Sequence, residues 1–383
     1  RDDSAFAAFW DKNRMWLKDY ALYMAVKDSM GGLCWSDWDD GLRLRNPQAL
    51  ADAEKRLEDT IRFYVFIQYI FRKQWLALKR YANDRGVQII GDIPIYVSFD
   101  SVDVWANPEL FQLDRDRLPT AVSGCPPDAF SDTGQLWGNP LYNWGYHKKT
   151  GFAWWIERMR YCFRLYDVVR VDHFRGFDEY YAIPAKAETA VNGTWKKGPG
   201  LALFRKMKET FGELNIIAED LGFLTPSVHK LLRDAGFPGM KVLQFAFDAG
   251  GESDYLPHNY DNNCVVYTGT HDNDTVNGWI PSISRKDLAF ARKYLNVRRN
   301  SDLCESLIRT ALGSVVDTAV IPMQDYLGLG SEARINTPST LGGNWEWRME
   351  RGACTEALSA HMLELAQLYG RTARPGDGGN KNK

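Results

Sequence analysis

The chain has 383 residues, enough for one large domain or two ordinary ones, with 47 basic residues against 49 acidic ones and a formal net charge of −2. That balance leaves no electrostatic footprint for nucleic acid or an anionic membrane, so neither is expected as a partner. No apolar run approaches the roughly 18 residues of a membrane span, and no secretory leader pattern opens the sequence. Six cysteines (Cys34, Cys125, Cys162, Cys264, Cys304, Cys354) are scattered without a C-x-x-C pair or a His at zinc spacing. This is the usage of buried thiols in a reducing compartment, and a cytoplasmic location is expected. The 14 Trp, 18 Tyr and 19 Phe are more informative, because Trp35, Trp38, Trp105, Trp137 and Trp144 lie in polar, loop-like sequence. Most aromatic faces serve packing; the remainder are candidate platforms for a sugar-like ligand face.

In chain order, residues 49–83 carry apolar and aromatic positions at helical spacing (Leu57, Ile61, Tyr64, Val65, Phe71, Trp75, Leu78), with Gly86 as the stop. "VQIIGDIPIYV" then reads as a strand, broken by Pro94. From about 98 to 165 no strand of this type is evident; the stretch is rich in Asp, Pro, Gly and Trp and reads as a long functional excursion. A helix over 201–211 stops at Gly212, and another is punctuated by Thr225, Pro226 and Gly236. A helical pattern recurs around 302–312. Six strands are expected, at 87–97, 167–172, 215–219, 240–247, 264–270 and 318–323. Short apolar strands separated by helices describe a parallel sheet covered on both faces, which a doubly wound sheet satisfies with six strands and a (β/α)8 barrel with eight. The tail from 371 to 383 has almost no apolar content and is expected to be disordered.

Several strands end in acids: Asp172 in "VVRVD", Glu219 and Asp220 in "NIIAED", Asp272 in "VVYTGTHD", and Asp92 within "VQIIGD". In parallel α/β proteins the C-terminal strand ends face the active-site mouth, so these carboxylates would converge on one pocket. Each taken alone is equally readable as a cap for the following helix. Converging carboxylates serve either a hard metal ion or glycoside cleavage, in which one ionised carboxylate attacks the anomeric carbon and one protonated carboxyl supplies a proton. Arg170 lies two residues before Asp172 and therefore points to the same face of the strand. A guanidinium there keeps Asp172 ionised, which suits a nucleophile and would repel a metal ion. Glu219 follows the apolar "IIA" without a basic neighbour, a setting that favours the protonated acid. His173 should face the other way and is read as structural. No metal and no cofactor are expected.

The segments "RVDHFRGF", "IIAEDLG", "YTGTHDNDT", "GDIPIYVSFDSVDVWANPELF" and "PPDAFSDTGQLWGNPLYNW" resemble the 4-α-glucanotransferases called amylomaltases or disproportionating enzymes, glycoside hydrolase family 77 of the α-amylase clan. The resemblance runs from about residue 5 to about 370. It implies a TIM (β/α)8 barrel and retaining transfer of α-1,4-glucan segments to the 4-hydroxyl of a glucan or glucose, with maltooligosaccharides or other α-1,4-glucans as substrates. It further implies Asp172 as nucleophile, Glu219 as general acid/base and Asp272 as the acid that binds sugar hydroxyls and stabilises the transition state. Arg170 and His271 then match residues beside the reacting sugar, and Asp92 matches the acid of the "GD-P" strand. A retaining pair should hold its carboxyl groups about 5 to 5.5 Å apart. In the excursion, Phe130, Trp137 and Trp144 are candidates to stack on sugars, and Asp128, Gln135 and Asn139 to bond hydroxyls, holding an acceptor while water is kept out.

Family members carry a longer N-terminal portion that nothing here matches. Together with the six-strand count, this gives the expectation of one catalytic barrel over 1–370, lacking its first two strands, with an insertion at about 98–165. The alternatives to a transferase are a hydrolase of the same clan or a catalytically silent glucan-binding fragment.

Overall fold

A computed structural model describes residues 3–127, 131–222, 224–248 and 253–372, which fall into two compact units, one up to Gly236 and one from Phe237 onward. No helix among the described residues is long and apolar enough to cross a membrane.

The first unit opens with the long helix Asp3–Ser29, which packs on the helix Glu58–Asn83 through Phe9, Leu17, Ala21 and Val65. The single helix expected over 49–83 is in fact two, Pro47–Arg56 and Glu58–Asn83, because Leu57 leaves the helical region at φ −109°, ψ 20°. The charges mark the break. Lys55 and Arg56 occupy the last turn of the first helix, and Glu58 and Asp59 the first turn of the second, each sign favoured at that end by the helix dipole.

Among the described residues of this unit seven strands follow: β1 (Ile90–Pro94), β2 (Ala121–Cys125), β3 (Gln135–Pro140), β4 (Val168–Asp172), β5 (Glu179–Pro184), β6 (Thr194–Lys197) and β7 (Ile216–Ala218). β1, β4 and β7 form a parallel sheet in that order. Val169 and Val171 of β4 are 0% and 2% exposed; burying each is worth about 2 kcal/mol and fixes which face Arg170 and Asp172 share. Gly91 is required where β1 passes the ring of Tyr166, since a Cβ there would lie 2.2 Å from it. The helices Ala153–Leu165 and Leu201–Phe211 precede β4 and β7, the second ending at Gly212 as expected. Pro226–Ala235 stops at Gly236, whose φ of 78° is the left-handed cap.

The excursion differs from expectation in one respect. It carries β2 and β3, which join β5 and β6 in an antiparallel sheet of order β3-β2-β5-β6. Trp35, Trp38 and Trp105 are 0%, 4% and 0% exposed, so these tryptophans are core despite their polar sequence neighbours.

The second unit holds β8 (Gly239–Val242), β9 (Cys264–Tyr267) and β10 (Thr318–Val320), parallel in the order β10-β9-β8. Its core joins Leu243, Val266, Leu307, Ile308 and Ala311, the last three from the helix Leu303–Gly313. Five of the six parallel strands among the described residues fall within expected segments; β8 begins one residue early, at Gly239, and most of the rest of the expected 240–247 strand is a 3-10 turn over Leu243–Ala246. Arg371, at the start of the expected tail, donates to the carbonyls of Leu312, Val316 and Ser314 at 2.9, 2.6 and 2.9 Å. Its guanidinium takes up carbonyls freed where that helix ends. Residues 373–383 lie outside the described residues.

Candidate active site

In the first unit the parallel register sets Asp92 opposite Arg170 and Pro94 opposite Asp172. Arg170, 7% exposed, uses its planar fork on both acids: Nη1 lies 2.6 Å from Asp92 Oδ2 and Nη2 lies 2.9 Å from Asp172 Oδ1. The two carboxyl groups are each 45% exposed, so they remain open to a substrate while the cation behind them is not. A guanidinium thus stands where a shared metal ion would have to sit, and the shared strand face expected for Arg170 and Asp172 is realised.

Glu219 stands at the end of the neighbouring strand, its N–H donating to the Val171 carbonyl at 3.0 Å. Its Oε2 accepts from the His173 N–H and its Oε1 from the Leu221 N–H, both at 2.8 Å. Those donors and Arg170 favour the ionised form, whereas burial first and the Asp172 charge second favour the neutral one. The second set wins, and the carboxyl is pushed up to about 7. An acid poised there can both give and take a proton near neutrality.

His173 adopts the left-handed conformation, φ 52° and ψ 47°, uncommon for a residue with a side chain. This turn aims its amide at Glu219. The imidazole lies against the Trp137 ring at 4.7 Å and 87°, and burial, aided by Arg175, pushes its pKa down to about 3. It is therefore a neutral, packed histidine.

The excursion candidates divide. Asp128 and Phe130 lie outside the described residues. Trp137 and Gln135 stand together on β3, the indole N–H donating to Gln135 Oε1 at 3.0 Å. Asn139 is otherwise engaged: its amide donates to the Val97 carbonyl at 3.0 Å and its oxygen accepts from Ser123 at 3.4 Å, tying β3 to the chain beyond β1. Trp144 is partly buried, its ring packed among Tyr142, His147, Trp155 and Phe177.

In the second unit the segment after β9 carries His271 and Asp272, with His271 Nε2 at 3.4 Å from Asp272 Oδ2. Asn336 Nδ2 donates to Asp272 Oδ1 at 2.6 Å and Arg334 Nη2 to the Asp272 carbonyl at 2.7 Å. The Trp345 ring faces His271 at 5.2 Å and 38°. Sequence reasoning missed Arg334, Asn336 and Trp345; the only signal was a long Gly- and Pro-containing loop, "NTPSTLGGNW", after the last strand.

Acids at the ends of parallel strands, one forked by an arginine and one held near neutrality, are the equipment of an α/β enzyme acting on glycosidic bonds. The glycoside hydrolase 77 family, described as 4-alpha-glucanotransferase, matches residues 1–355. The 4-alpha-glucanotransferase of Clostridium butyricum is 46% identical over 373 residues, 97% of this chain and 77% of that protein. That of Streptococcus pneumoniae is 48% identical over 372 residues, 97% of this chain and 74% of its own length. Among solved structures, the amylomaltase from Streptococcus agalactiae in complex with acarbose matches with a TM-score of 0.94 and 44% identity, covering 97% of this chain and 76% of that one. The amylomaltase from Corynebacterium glutamicum, 18% identical over 90% of this chain and 52% of its own with a TM-score of 0.70, shares the fold. The chain belongs to the glycoside hydrolase 77 family.

Proposed function

We propose that this chain transfers α-1,4-glucan segments to the 4-hydroxyl of a glucan or glucose by a retaining double displacement. Asp172 attacks the anomeric carbon while Glu219 gives its proton to the departing 4-oxygen, leaving a glycosyl ester on Asp172. Glu219, now ionised, takes the proton of an incoming 4-hydroxyl as that oxygen displaces Asp172. Asp272 and His271 bond the hydroxyls of the reacting sugar. The single observation that carries this reading is the pair of neighbouring strand ends: Asp172 forked by Arg170, and Glu219 pushed up to about 7 partly by the Asp172 charge. The S. agalactiae amylomaltase that this chain resembles was solved with acarbose, which supports α-glucans as the substrate class.

In this reading the parallel strands are successive staves of a TIM (β/α)8 barrel. It is supported by the two three-stranded parallel sheets, whose strands follow chain order from one edge to the other. Transfer in preference to hydrolysis requires an acceptor platform; Trp137 is the candidate, a reading supported by its ring contact with His173, the residue after the proposed nucleophile. Incubation with maltotriose tests the proposal: a ladder of longer maltooligosaccharides with released glucose is expected. Only shorter sugars would mean a hydrolase, and binding without turnover a silent glucan-binding chain.

A further inference from the structure

The acids at the strand ends do not hold their own places. In the second unit the short helix Met323–Tyr326 follows β10 and buries two consecutive polar residues, Gln324 and Asp325, 4% and 3% exposed. Neither belongs to the reacting acids, and a buried carboxylate is costly unless its oxygens are bonded. Asp325 Oδ2 accepts from the Thr268 hydroxyl at 2.6 Å and Oδ1 from the Val276 N–H at 2.8 Å. Thr268 follows β9 directly, and Val276 opens the helix Val276–Trp279. One carboxylate therefore closes the segment carrying His271 and Asp272 at both of its ends. Burial is the main cause that raises the Asp325 pKa, and the charge of Asp274 adds to it, while the two donors work against them.

Gln324 serves the other segment. Its Nε2 donates to the Ala333 carbonyl at 3.2 Å, immediately before Arg334 and close to Asn336, the two residues that grip Asp272 from its backbone and its side chain. A second buried amide, Gln244 at 7% exposed, donates to the Asp274 carbonyl at 2.8 Å. Both segments that meet at Asp272 are thus tied to one turn of helix.

We propose that the buried pair Gln324 and Asp325 positions Asp272 for glucan transfer, by fixing the 268–276 and 333–336 segments against each other. This rests on the reading of Asp272 as a catalytic acid. Misplacing such a group by about 1 Å costs on the order of 100-fold in rate, so the pair acts on kcat and leaves ground-state binding at the remaining contacts intact.

The test uses the purified protein, with melting temperatures recorded for every variant, and reads kcat and KM with maltotriose. Asp325→Ala and Gln324→Met are expected to lower kcat about 100-fold and about 10-fold with KM changed less than about threefold. Asp325→Asn can still accept from Val276 and bond Thr268, and should restore kcat to within a few-fold. With α-maltosyl fluoride as an activated donor, adding Asp325→Ala to Asp272→Asn should change the residual rate less than about threefold, because the group being positioned is gone. A full second loss in that double variant would assign Asp325 to general structure and overturn the proposal. Should Asp325→Ala fail to fold, Gln324→Met decides, and an unchanged kcat in a folded Gln324→Met also overturns it. Undiminished activity of Asp272→Asn alone would instead remove the reading of Asp272 on which the proposal stands.

Discussion

The backbone N–H of His173 donates to Oε2 of Glu219 at 2.8 Å, so the residue after the proposed nucleophile holds the proposed acid/base. The two carboxyl groups of the proposed pair are thereby set by one turn of backbone, at the cost of a left-handed residue at position 173.

That turn is testable by residue type. At φ 52° a β-branched side chain is strained whereas glycine is not. His173→Val is expected to lose at least about tenfold in kcat, and His173→Gly, which keeps the amide in place, no more than about threefold. Both are read with maltotriose at pH 6.

Arg170 bridges Asp92 and Asp172 at 2.6 and 2.9 Å, a task for a planar fork. A lysine reaches one acid or the other, so Arg170→Lys should lower kcat about 100-fold while the chain stays folded. Steady-state kinetics and a thermal melt check both halves of that statement.

The pH dependence follows from Glu219. The general acid must be protonated for bond cleavage, and its pKa of about 7 sets the limb: kcat/KM falls tenfold per pH unit above about 7. Because Asp172 is one cause of the raised value, Asp172→Asn should move the Glu219 carboxyl downward, with burial still holding it above its ordinary value. Carbon-13 NMR of labelled glutamate reads that titration directly. For stability the sign is that of a raised group: the contribution is full below the ordinary value of 4.5 and is lost as pH rises through about 7.

Trp137 is the acceptor-side prediction. Trp137→Ala should raise the share of turnovers ending in free reducing sugar severalfold while donor cleavage persists. Counting glucose against longer maltooligosaccharides from maltotriose measures that share.

What could be read in advance was local. Most of the parallel strands announce themselves as short apolar, valine- and isoleucine-rich runs, and Arg170 shares a face with Asp172 through a two-residue period that holds in any strand. The antiparallel sheet was not legible, because "AVSGC" and "QLWGNP" carry Gly, Pro and polar residues and owe their strand character to partners elsewhere in the chain. Trp35 and Trp105 show the same limit: polar neighbours in sequence say nothing of the aromatic and apolar neighbours in space. Asn336 grips an acid 64 residues away from a loop without periodicity, which no local pattern encodes.

The most direct measurement is mass spectrometry of the protein after reaction with 5-fluoro-α-D-glucosyl fluoride, whose glycosyl ester forms faster than it breaks down. A hexosyl adduct on Asp172 in the peptide spanning 168–177 is the predicted result. An adduct on another carboxylate, with Asp172 unmodified, would contradict it.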